Sequence, residues 1–211
     1  MVNLSFNKLT SSFIQTGSYF DGFRNISGEK KVKVWTSTEF SYVCFLKNSQ
    51  LDLTLSLESR GVRGEVFIFV PVVFEHTTLN FIAEVLSSDV EIAVTIISLQ
   101  KDQSHLTING EIKVWEHLQD VKAVLKEETY CIWQDLKSQM KPALFVSSYQ
   151  VKTSHWTKIQ RIPNETLFYL QSRGLSLERA ENFFVENLLE SVLNPLHLSE
   201  KEKEDIQNFI Q

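Results

Sequence analysis

The sequence predicts a strand-rich domain closed by a short helical tail. Three observations carry this. Apolar residues alternate with polar ones over most of residues 32–160, the apolar period changes to that of a helix after Ile162, and no helix-period segment interrupts the strands before that point. The 211 residues are 43% apolar and 22% charged with few Gly and Pro, which is enough apolar material for a sizeable core. The fifteen Phe fall mostly in the strand-like segments and read as core.

Residues 1 to about 30 are mixed and suggest an irregular or strand-like entry with no helix. "LDLTLSLES" is the clearest strand: Leu51, Leu53, Leu55 and Leu57 face one way, Asp52, Thr54 and Ser56 the other. "EVFIFVPVVF" is continuously apolar, as in a strand buried on both faces, with Pro71 marking a break or edge. Then follow "TLNFIAEV", "VEIAVTIISL", "HLTI", "EIKVW", "VKAVL", "TYCIW", "ALFVSS" and "YQVKT", punctuated by Ser-Ser-Asp, Lys-Asp-Gln-Ser, Asn-Gly and Lys-Pro. Such short strands suit an antiparallel β-sandwich, the commoner solution, or a parallel β-helix without a strict repeat.

In the tail, Asn164 with Glu165 in the first turn starts one helix, and Gly174 stops it. Ser176 caps a second helix, with Ala180, Phe183, Phe184, Asn187, Leu188 and Ser191 on one face. Ser199 with Glu202 forms a capping box for a third, ending at Ile206, Phe209 and Ile210. The division expected is a core over 1–160 and a helical segment over 161–211.

The chemistry visible in the residues is sparse. A net charge of −5 without a Lys/Arg cluster argues against a nucleic-acid surface. No apolar stretch is long enough for a bilayer, and the N-terminus has no signal-peptide core, so no membrane partner and a cytoplasmic location are expected. Cys44 and Cys131 have neither zinc nor redox spacing and read as reduced core thiols. Of the five histidines, none has a partner at metal-helix spacing; His76 and His117 read as solvated strand-end or loop residues, and His155 on its own as structural. "SRGVRGEV", with Gly61 and Gly64, is not a phosphate loop and reads as a strand-connecting turn.

From Lys141 to Leu193 the chain resembles the C-terminal part of the SufB/SufD family of iron–sulfur cluster assembly scaffolds. The resemblance is carried by Lys141-Pro142, "ALFVSSYQVKT", Ser154-His155, Arg161-Ile162, Asn164-Glu165 and "LFYLQSRGLS" followed by Ala180. It is weaker upstream, through "SLESRGVRGEV" and "SHLTINGEIKV". It implies a right-handed parallel β-helix core followed by a small α-helical segment, in place of the sandwich. It also implies a non-catalytic scaffold that pairs through its β-helix with a SufB-like chain or a second copy of itself. The tail would dock a SufC-type ABC ATPase, with Phe168, Tyr169, Arg173, Gly174, Phe183, Phe184 and Leu188 as docking candidates. His155 takes the place of a cluster-ligand histidine, and the cofactor implied is a transient iron–sulfur cluster at a subunit interface, none being tightly bound. The SufB-type ligand cysteine would fall near Lys126 to Glu128, whereas Cys131 lies later, so the likeness is to SufD rather than SufB. Trp156 stands where the family has a small residue, and its bulk is expected to bear on the site. The chain is also much shorter than typical members and is expected to lack their N-terminal helical region, as a reduced SufD or a diverged scaffold without the chemistry would; a β-helix protein acting on carbohydrate is the alternative.

Overall fold

A computed structural model describes residues 2–73, 76–101, 104–132, 137–194, 200–201 and 204. In chain order the strands are β1 (Val2–Phe6), β2 (Ser12–Ile14), β3 (Gly17–Arg24), β4 (Ser27–Val34), β5 (Glu39–Lys47), β6 (Gln50–Leu57) and β7 (Val62–Val73). They continue as β8 (His76–Val85), β9 (Val90–Lys101), β10 (His105–Val114), β11 (Gln119–Cys131), β12 (Lys137–Met140), β13 (Ala143–Val146) and β14 (Gln150–Arg161). Two helices follow, α1 (Asn164–Ser172) and α2 (Leu177–Leu193).

Odd and even strands go to different sheets. One has the order β1-β3-β5-β7-β9-β11-β14, the other β12-β10-β8-β6-β4-β2, with β13 also on β10. All pairings are parallel. The chain therefore coils as a β-solenoid, each turn adding a strand to each sheet, and the β-helix expected from the resemblance is what it adopts. Following Ser18↔Ser41, Ser41↔Glu65, Glu65↔Ala93, Ala93↔Val124 and Val124↔Ser154, successive turns take 23, 24, 28, 31 and 30 residues. A period that drifts in this way leaves no strict repeat in the sequence.

Because side chains alternate along each strand, in-register pairing stacks like positions into ladders running down the interior. One is Val32–Leu55–Ala83–Ile112, another Tyr42–Val66–Val94–Leu125, and all eight residues are buried. The outer face of the second sheet is polar, with Asn80 donating to Asp52 and Asn109 to Asn80 at 2.6 and 2.7 Å. The outer face of the first sheet is apolar: Phe20, Val43, Phe45, Phe69 and Leu99 are buried there, with Val185, Leu188, Leu189 and Leu193 of α2 packed against them. This cover is why "EVFIFV" is apolar on both faces.

Several local expectations change. Asn109-Gly110 lies within β10 and makes no turn. Gly64 lies within β7, where a Cβ would collide with Phe40 and Ile92; Gly61, at φ +71°, is the turn residue. Lys141-Pro142 is a break between two halves of one strand, since Met140↔Ile108 and Ala143↔Glu111 keep the same offset while proline has no amide to donate. β7 runs through Pro71 to Val73, but its pairing with β5 ends at Phe69, so the proline does sit where one neighbour has stopped. Pro163, not Asn164, is the N-cap of α1, without a side-chain bond. Ser176 caps α2 as expected, accepting from the Arg179 amide, and Gly174 has φ +93°. Of the third helix expected from Ser199, the described residues Glu200, Lys201 and Glu204 are helical, while Ser199, Glu202 and the end at Ile206, Phe209 and Ile210 lie outside the described residues.

At the first turns the interior holds charge. Lys30, 1% exposed, lies 3.4 Å from the Asp21 carboxylate and donates to Ser12 Oγ at 2.6 Å, while the Tyr42 hydroxyl donates to Asp21 at 2.7 Å. Burial pushes the Tyr42 hydroxyl and the neighbouring Cys44 thiol well above their ordinary pKa values.

Candidate functional site

The last turn differs from those before it. β14 pairs with β11 on one side only, and among the described strands no other adds to its far edge. Its register, Val121↔Val151 through Leu125↔His155 to Cys131↔Arg161, sets its odd residues on the inward face and its even residues outward. His155 thus extends the ladder Tyr42–Val66–Val94–Leu125, but unlike those residues it is exposed, because nothing described lies over the open end. Trp156 alternates to the outer face, 37% exposed, with the Lys126 ammonium 5.1 Å from its ring centre. Adjacent strand residues point to opposite faces, so Trp156 and His155 stand on different sides of the sheet.

Glu127 is the residue the sequence reading missed. It is fully buried on the inward face, one step along the strand from the position beside His155. Thr157 donates to its Oε2 at 3.1 Å, while its Oε1 has no hydrogen bond and rests over Gly110. Any side chain at 110 would occupy the space of that carboxyl, so the glycine is needed for close approach. Burial pushes the Glu127 carboxyl up to about 7, with the Thr157 hydroxyl and the Gly110 backbone pulling it down. The signal was present in "VKAVLKEET": Val121, Ala123, Leu125, Glu127 and Thr129 share one parity, which makes Glu127 a charge at a core position. Farther along, Ser98 and Thr129 share a hydroxyl bond at 2.6 Å and are also buried, so the interior turns polar at this level.

Cys131 ends β11, half-buried, and burial raises its thiol pKa, so it is a poor nucleophile where it stands. Cys44 is buried at the other end, and both thiols are free. His76 and His105, at the starts of β8 and β10, have ring centres 4.2 Å apart with their planes tilted by 34°. His117, in a turn at φ +61°, is 3.9 Å from Glu116. Among the described residues no group of three or more His, Cys, Asp or Glu could hold a metal ion. His155 therefore has no ready-made ligand set within the described part of this chain.

Outside the first sheet, the strand starts carry a ladder of charge, Glu39–Arg63–Glu91–Lys122–Lys152. Arg63 pairs with Asp89 at 2.6 Å, and Glu91 lies 3.2 Å from Lys122 and 3.9 Å from Arg63. The Arg63 hydrogen bond holds the Asp89 carboxyl below its usual range. Glu91 and Asp89 are thus committed to ion pairs.

The helical tail divides the docking candidates. α1 buries none of its residues: Phe168 is 74% and Tyr169 57% exposed, and Arg173 lies over the Tyr169 ring at 5.4 Å. Gly174 has open space around it. Phe183 is exposed on α2, as are Asn187 and Ser191, so they leave the expected inward face. That face is instead Ala180, Phe184, Val185, Leu188, Leu189 and Leu193; Phe184 meets Tyr130 edge-on at 5.4 Å. Phe168, Tyr169, Arg173, Gly174 and Phe183 are thus presented outward, while Phe184 and Leu188 attach the helix. No helix among the described residues is long and apolar enough to cross a membrane.

Comparison with known proteins agrees with this architecture. The domain described as "SUF system FeS cluster assembly, SufBD core domain" matches residues 75–188, more than half of the chain. The iron-sulfur cluster assembly protein SufD of Escherichia coli (strain K12) is 29% identical over 91 residues, 43% of this chain and 21% of that protein. The region matched by the domain runs from β8 through the open edge into α2, so it contains both parallel turns and the exposed helical surface. The chain belongs to the SufBD core-domain family of the iron–sulfur cluster assembly system.

Proposed function

We propose that the chain is a SufD-like, non-catalytic scaffold subunit in the cytoplasm, which pairs along β14 and docks a SufC-type ABC ATPase on its helical tail. The observation that carries this reading is the unpaired β14 edge, beside which His155 is exposed at the end of an otherwise buried ladder. A parallel strand with a free edge is a template for another chain, and either a SufB-like protein or a second copy could add to it. The cluster is cargo, held transiently where two chains meet. His155 contributes one imidazole, and the remaining ligands come from the partner, since the described residues offer no complete set. The outward side chains Phe168, Tyr169, Arg173 and Phe183 supply an aromatic and cationic surface of the kind that anchors an interface.

The test is anaerobic co-purification with the SufB-like and SufC-like proteins of the same organism, with complex mass read by light scattering. A stable complex of all three is expected. Binding to neither partner would end the reading. Within a complex that forms, His155→Ala should leave assembly intact and abolish cluster retention, followed by the visible absorbance of the cluster.

A further inference from the structure

We infer that the β14 edge selects an acidic strand and rejects a second copy of this chain. This rests on the reading of β14 as a pairing edge and decides between the two partners left open there. The chain as a whole carries −5, yet β14 reads QVKTSHWTKIQR: Lys152, Lys158 and Arg161 without one Asp or Glu. The charge ladder shows the same break. Arg63, Glu91 and Lys122 alternate in sign down the sheet, and the next rung, Lys152, repeats the positive sign instead of restoring the acid.

Two identical copies would join this edge about a two-fold axis, running antiparallel. Keeping the outer faces together requires even-numbered residues to oppose even-numbered ones. With His155 on the axis, Lys152 lies directly opposite Lys158 of the partner subunit, and the contact occurs twice. A shift of the register by two residues in either direction leaves Lys152 and Lys158 diagonal neighbours. Like charges directly opposite in a sheet oppose pairing, and diagonal neighbours stay within a Debye length at physiological salt.

Lysines also serve to protect an edge from any pairing. The apolar surface here argues otherwise. Trp156, 37% exposed, stands on the outer face of the strand between Lys152 and Lys158. An edge meant only to stay solvated would not set an indole among its lysines. An exposed aromatic anchor flanked by cations fits an interface whose other side is acidic.

The full chain supplies its own probe. Wild type and the charge-reversed variant K152E/K158E should each be monomeric by light scattering, because each opposes like charges. Mixed at equal concentration in low salt they should form a heterodimer, at concentrations about tenfold below those either needs alone. Amide-exchange protection should appear over 150–161, and the complex should fall apart near 1 M salt, where screening shortens to about 3 Å. Should the double variant fail to fold, K152E alone should self-associate, since the two-fold pairing then sets the introduced carboxylate opposite Lys158 twice. A wild-type dimer through 150–161 as tight as the mixed pair overturns the inference, as does a mixture that associates no better than its components. Failure of the scaffold reading would show separately, as a SufB-like chain that ignores the wild-type protein while the mixed pair still forms.

Discussion

Replacing Glu127 by Gln should stabilise this protein at pH 8 and leave it nearly unchanged at pH 4.5. The carboxyl is fully buried, one of its oxygens is unbonded, and burial moves it from 4.5 up to about 7. A raised carboxyl pKa means that, between those values, the folded protein holds a proton that the unfolded chain has released. Stability is therefore greatest below about 4.5, declines as pH rises towards 7, and is flat above. The full span corresponds to about 3 kcal/mol as an upper limit. In a chain of this size that is roughly 6–12 °C in melting temperature. Gln keeps the shape and the bond to Thr157 without the charge. The assay is thermal unfolding of both proteins from pH 4.5 to 8.5, taking the difference at each pH so that other titrating groups cancel. Parallel curves, or a variant less stable than wild type at pH 8, would refute the argument that Glu127 is a desolvated carboxyl.

Three further outcomes follow from the same geometry. Gly110→Ala should cost about 1–3 kcal/mol in denaturant unfolding, because the new Cβ meets the Glu127 carboxyl, and the loss should shrink in the Gly110→Ala/Glu127→Ala double variant. Asp21→Ala should cost about 3–5 kcal/mol, since it strands the buried Lys30 ammonium and the Tyr42 hydroxyl together; a loss below about 1 kcal/mol would mean that the lysine finds water. Phe168→Ala with Tyr169→Ala should shift stability by no more than about 0.5 kcal/mol, both being exposed, yet weaken ATPase binding measured by titration calorimetry at least tenfold.

Much of this architecture can be read from local pattern. The alternation at Leu51–Leu57, the stop at Gly174 and the cap at Ser176 are each fixed by a few neighbouring residues, and the structure keeps all three. Strand pairing is different. Whether "TLNFIAEV" lies beside a sequential neighbour or beside a strand 28 residues away is settled by long-range contacts that leave no local mark, and the family resemblance carried that choice. Asn109-Gly110 misleads for a related reason: the dipeptide suits a turn, but here the glycine answers to a carboxylate on the next strand. The inward face of α2 is ambiguous because Phe183, Phe184, Val185, Leu188 and Leu189 surround more than half of the helix, and only the sheet beneath selects among them. His155 was legible through the resemblance alone. Its exposure depends on the ladder ending there, which no local window reveals.

The helix laid along the first sheet changes how the molecule can come apart. A solenoid by itself behaves like a zipper, each turn fastened only to the turns next to it, so that opening begins at an end and travels. α2 shares one apolar cluster with residues of β1, β3, β5, β7, β9 and β11. It works as a clasp across the teeth, joining turns far apart in the stack into one cooperative unit. β14 contributes nothing to that cluster. The consequence is a first sheet latched from β1 to β11, with β14 at its edge left outside the clasp and free to open first.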